Sequence, residues 1–140
     1  MAAPVRDPRR MIRDMAPGRH PGHRVFRAPG ADVPVAELQA AALAWLRAPE
    51  GLSLLLPLEL ARGHGLAAGA PVLAHVMLRA NSALDGVGLT ATAARTLAGA
   101  GIACNVAAGL RHDHLFVSEA RADEAVRLLE ARAARAQPPS

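Results

Sequence analysis

With 140 residues, 51% of them hydrophobic, the chain has material for one compact unit or two small packed halves, burying about two thirds of its unfolded surface. No uninterrupted apolar run approaches the roughly 20 residues of a membrane span, and the opening MAAPVRDPRRMIRDM lacks the apolar core of a secretory signal. A cytoplasmic protein with no membrane partner is therefore expected, and the single cysteine, Cys104, excludes an internal disulfide and a cysteine-built zinc site.

The formal charge of +4 would suit a polyanionic partner, but its position matters more than its total. Residues 1–27 hold seven arginines against Asp7 and Asp14, whereas residues 28–140 hold nine arginines against ten acids. The body is thus near neutral and the basic excess belongs to the N-terminal arm. With no tyrosine, two phenylalanines and one tryptophan there is no platform for stacking bases, so nucleic-acid binding is not expected.

In chain order, residues 1–22 are rich in Arg, Pro and Gly, and residues 1–10 are expected to be disordered. HRVFRA at 23–28 reads as a short strand closed by Pro29 and Gly30. The stretch from Val35 to Leu56 is ambiguous: propensity favours a helix over 35–47, while Pro49, Glu50 and Gly51 favour a turn between two strands. Residues 58–64 read as a short helix or turn.

The second half is better marked. VLAHVMLRA at 72–80 has strand character, followed by a glycine-containing loop at 82–88 and an amphipathic helix beginning at Leu89. Leu89, Ala93 and Leu97 share one buried helical face, and Gly99 and Gly101 stop the helix. Residues 102–108 read as a buried strand paired through a turn with 113–118. A last helix over RADEAVRLLEARAARA carries Asp123 and Glu124 in its first turn and Arg132 and Arg135 in its last, before Pro138 and Pro139 end it. Strand, helix, strand, strand, helix is the order of a ferredoxin-like βαββαβ unit whose last strand comes from elsewhere in the chain.

The segment NSALDGVGLTATAARTLAGAGIACNVAAGLRHDHLFVSEARADEAVRLL resembles one branch of the ACT domain family, small bacterial proteins with two ACT-like halves in tandem. MIRDMAPGRHPGHRVF is similar to its opening segment and WLRAPEGLSLLLP to its central hairpin, so the resemblance spans residues 10–135. It implies an α+β ferredoxin-like fold with two halves sharing strands, and a hairpin pairing residues 43–47 with 52–56. The organisation it implies is a basic arm at 1–10, an N-terminal half at 11–69, a C-terminal ACT domain at 70–136 and a tail at 137–140. It also implies a non-catalytic regulatory module that binds an amino acid or similar small metabolite, uses no cofactor and associates into homo-oligomers.

The loop at 82–88 with the helix start behind it is the leading candidate site, because free amides at a helix N-terminus attract a carboxylate. The residues expected to line it are Ser82, Asp85, Gly86, Val87, Gly88, Leu89 and Thr90, with Asp85 pairing a ligand ammonium; the structural alternative has Asp85 capping the helix. On the following strand Asn105 shares a small-residue face with Ala103 and Ala107 and offers a donor and an acceptor. His112 and His114 alternate to one side and Asp113 to the other; two histidines are half a metal site, so a metal-dependent enzyme is the minor alternative and a turn-anchoring role the main one. A protein-interaction adaptor without a small ligand is the third reading.

Overall fold

The computed structural model describes residues 2–137, so the expected stop at Pro138 and Pro139 and most of the 137–140 tail lie outside the described residues. Its elements are α1 (Pro8–Arg13), β1 (Pro17–Arg27), α2 (Val35–Ala41), β2 (Ala44–Ala48), β3 (Gly51–Pro57), α3 (Leu58–Gly63), β4 (Leu73–Leu78), α4 (Leu89–Gly99), β5 (Asn105–Ala108), β6 (Asp113–Ser118) and α5 (Ala122–Ala134), with a 3-10 turn at Glu119–Arg121. The six strands form one antiparallel sheet in the order β2-β3-β1-β4-β6-β5.

That order reads the same from either edge. After α1 the chain runs β1-α2-β2-β3-α3 and then repeats the pattern as β4-α4-β5-β6-α5, and the two copies meet where β1 pairs β4. A ferredoxin-like unit needs a fourth strand beside its first; here β4 serves the first copy and β1 serves the second. The expected boundary at residue 70 falls between α3 and β4.

Strand alternation divides the sheet into two faces. One buries Val25, Leu54, Leu56, Ala74, Val76, Leu78, Leu115 and Val117, and all five helices pack there in two clusters. Met11, Ile12, Leu89, Ala93, Leu97, Ala125 and Leu129 supply the helical side of the larger cluster, and Leu38, Leu58 and Ala61 that of the smaller. Each fully buried leucine contributes about 2 kcal/mol by leaving water. On the opposite face Leu55, Leu73 and Phe116 are also buried, with Ala44 of β2 and Ala107 of β5 packed against them. The two sheet edges thus lean over this face, flanking a groove of about 520 Å³ together with Phe26, Trp45 and Leu46.

Several expectations change. The first strand begins at Pro17 rather than at 23, because its early residues pair with β4 through a bulge between His20 and His23, where Gly22 takes φ +86°. Residues 35–47 divide: Val35–Ala41 is helical and the hairpin pairs Ala44 with Leu55 through Ala48 with Gly51. The strand expected over 102–108 is only Asn105–Ala108 and is an exposed edge, with Ile102 buried just outside it.

The arm expected to be disordered is instead placed along the 81–85 loop. Val5 N–H donates to the Asn81 carbonyl at 2.7 Å and Ala83 N–H to the Val5 carbonyl at 2.9 Å, while Asp7 caps α1 by accepting from Arg10 N–H at 3.1 Å. Deleting residues 1–7 removes that bridge and the cap, an expected loss of about 2 kcal/mol that lowers Tm by roughly 7 °C. Thermal denaturation of the truncated chain checks this; an unchanged Tm would return the arm to a free, disordered state.

Candidate functional site

The 82–88 loop, the first turn of α4 and the turn between β5 and β6 enclose a cavity of about 450 Å³. Of the residues singled out in the sequence, Ser82, Gly86, Gly88, Leu89 and Thr90 line it, together with Met11, Ala108, Gly109 and Asp113. Gly88 is the N-cap of α4 with φ +111°, a conformation that glycine adopts without strain, and no side chain caps the helix. Gly86 is tightly packed: a Cβ there would stand 2.9 Å from Met11 Sδ and 3.1 Å from the Ala83 carbonyl oxygen.

The remaining candidates lie elsewhere. Asp85 does not cap α4; its carboxylate accepts from Arg6 Nε at 3.1 Å, an ion pair exposed on the rim and facing a second cleft that Leu110 and Arg111 also line. Val87 is 75% exposed. Asn105 is at the far end of β5 from Ala108, opposite Phe116, and does not reach the cavity.

Asp113 is the residue that sequence reasoning passed over. As the first residue of β6 it is 8% exposed, lies on the helix-bearing face across from Ala108 and accepts from Thr90 Oγ1 at 3.3 Å. Its alternation against His112 and His114 was the available signal, since the side opposite His114 is the side on which α4 begins. Met11 carried no such signal, because its place depends on where α1 docks.

His112 and His114 do not act together. His112 Nδ1 is 3.1 Å from the Ala80 carbonyl and anchors the turn, whereas His114 Nδ1 is 2.9 Å from His75 Nε2. Among the described residues no three His, Cys, Asp or Glu side chains converge as a metal site. The His75–His114 contact needs one donor and one acceptor, so at least one ring is neutral.

His75 is 2% exposed, with its ring between those of His20, 4.8 Å away, and Phe116, 4.9 Å away. Burial above all, then the neighbouring His114, His20 and Arg24, pushes its pKa down from 6.5 to about 4. Burial, reinforced by His112 and opposed by Asp113, lowers that of His114 as well. An unfolded histidine therefore takes up its proton near 6.5 and the folded His75 only near 4, so the unfolded chain holds more protons in between. Stability from this group is complete above pH 6.5 and declines as the pH falls towards 4. Melting curves from pH 7.5 to 4.5 should show Tm falling with acidity, and His75→Leu should flatten the fall; equal slopes in both proteins would contradict it.

Comparison with solved structures agrees with this architecture. A Vibrio cholerae protein of unknown function, described as a possible transport protein, is 38% identical, matches 85% of this chain and 89% of its own, and superposes with a TM-score of 0.74. Aspartokinase alpha and beta subunits match at 17% identity and TM-score 0.59, over 84% of this chain and 96% of theirs. The regulatory subunit of aspartate kinase from Thermus flavus matches at 13% identity and TM-score 0.60, over the same shares. No protein-family model matches the sequence, and no curated protein does either.

The fold is therefore that of two ACT-like ferredoxin halves in tandem, sharing their central strands. The chain belongs to the family of the Vibrio cholerae protein.

Proposed function

We propose that the chain is a non-catalytic regulatory module that binds an amino acid or a close analogue in the cavity at the start of α4. The observation that carries this reading is the pairing across that cavity of a buried carboxylate, Asp113, with a helix N-terminus that no side chain caps. An α-amino acid presents the complementary charges a few ångströms apart: its carboxylate suits the amides of 88–90 and its ammonium suits Asp113. Ser82 and Thr90 add hydroxyls, and Gly86 and Gly88 let the ligand approach the backbone. The regulatory role draws on the likeness of fold to aspartate kinase regulatory subunits. Leu84, Val87 and Leu110, each at least 70% exposed around the loop, favour association with a partner, and a second copy of the chain is the occupant proposed.

A thermal-shift screen of the amino acids tests the proposal on the intact protein. At a ligand concentration about a hundred times Kd, binding stabilises by roughly 2.7 kcal/mol, which for this size raises Tm by roughly 5 to 15 °C. Asp113→Asn should abolish the shift and Asp85→Ala should retain it. A screen in which nothing shifts would favour the adaptor reading, and a shift lost in Asp85→Ala but kept in Asp113→Asn would move the ammonium contact to the rim.

A further inference from the structure

A second concave site is built where the two ends of the described chain meet. Met11 and Ile12 tie α1 to the larger core cluster, which Ala133 near the end of α5 shares. That anchoring holds the outward side chains of α1 beside the last turn of α5. Between them is a cleft of about 590 Å³ lined by Arg9, Arg10, Arg13, Arg132 and Arg135, with Asp7 as its one acidic residue among the described residues. The volume is in the range of small-molecule sites, roughly 300 to 1,000 Å³.

The charge in this cleft is poorly neutralised. Asp7 caps α1 through the Arg10 N–H, and Arg10 and Arg13 share a single acid, Asp14, at 3.6 and 2.9 Å. Among the described residues Arg9, Arg132 and Arg135 form no ion pair. Other arginines of the N-terminal segment are committed elsewhere: Arg6 to Asp85, Arg19 to Asp123, and Arg27 to the carbonyls of Leu66 and Ala68. Arginine is abundant throughout this chain, so its number carries no weight. What carries weight is that five arginines line one concavity of a chain whose body is otherwise near neutral. Like charges gathered around one concavity repel, and a bound anion relieves that repulsion while the planar guanidinium fork matches phosphoryl oxygens two at a time.

We propose that this cleft binds a small anion bearing two or more phosphoryl groups, at a site separate from the cavity at α4. A lone phosphate would engage only part of the lining. A nucleic acid fits less well, because among the described residues the lining offers no aromatic ring on which bases could stack.

Isothermal titration calorimetry of the full chain with inorganic tripolyphosphate, at about 50 mM salt so that screening is modest, tests the proposal. The expected result is one site per chain, with orthophosphate binding more weakly. The double variant Arg9→Glu/Arg135→Glu, at two exposed positions of the lining, should weaken tripolyphosphate at least about tenfold through lost charge-assisted hydrogen bonds. Arg47→Glu/Arg95→Glu changes the net charge equally at exposed positions outside the cleft and should leave the affinity nearly unchanged. Should the glutamates unfold the protein, Arg9→Gln/Arg135→Gln gives the same comparison with milder charge loss. Absence of binding, equal weakening by both double variants, or tighter binding of a single-stranded oligonucleotide through the same arginines would each overturn the assignment.

Discussion

The pairing of β1 with β4 is the constraint on which the rest of the architecture depends. Neither copy of the βαββα pattern contains the strand that belongs beside its own first strand, and each obtains it from the other. Without that contact two sheet edges with unpaired amides and carbonyls would face water, and the core face formed by Val25 and Ala74 through Val117 would be divided. The bulge at Pro21 and Gly22 is part of the same device. It lets one long strand pair β4 with its early residues and β3 with its late ones.

The position of the candidate site follows from this frame. Beside β4, β6 places Asp113 at its start on the helix-bearing side, and the β4-to-α4 connection brings the uncapped start of α4 over it. The arm then straps the outer side of that connection through Val5 and Arg6, and α1 brings Met11 into the cavity wall. On the opposite face the rings of His20, His75 and Phe116 stack across β1, β4 and β6. The stack holds His75 neutral because a charge there would be both desolvated and set among other basic groups.

The second half was legible because each element carries its own punctuation. Leu89, Ala93 and Leu97 mark the buried face of α4, the glycines at 99 and 101 mark its end, and the acids at 123 and 124 mark the start of α5. What could not be read locally depended on partners distant in sequence. Pro17, Gly18, Pro21 and Gly22 have the composition of a loop and become strand only because β4 accepts them. Residues 102–108 have the apolar content of an inner strand, yet β5 is an edge, a fact set by sheet order and not by alternation. Val35–Ala41 keeps the helix its alanines favour, and Ala44 onward yields to pairing with β3. Of the site, the glycines and Thr90 were visible as a loop before a helix. Asp113 is separated from them by more than twenty residues, and only the register of β6 shows that it faces them.

The most direct test of the account is a residue-resolved map of ligand binding, obtained by titrating isotopically labelled protein with the proteinogenic amino acids and following backbone amide shifts. The account predicts saturable changes for one of them, concentrated at residues 82–90, at 108–113 and at Met11, with the groove between β2 and β5 unaffected. Saturable changes centred on that groove, or none anywhere, would contradict the claim that this fold is built around an amino-acid seat at the start of α4.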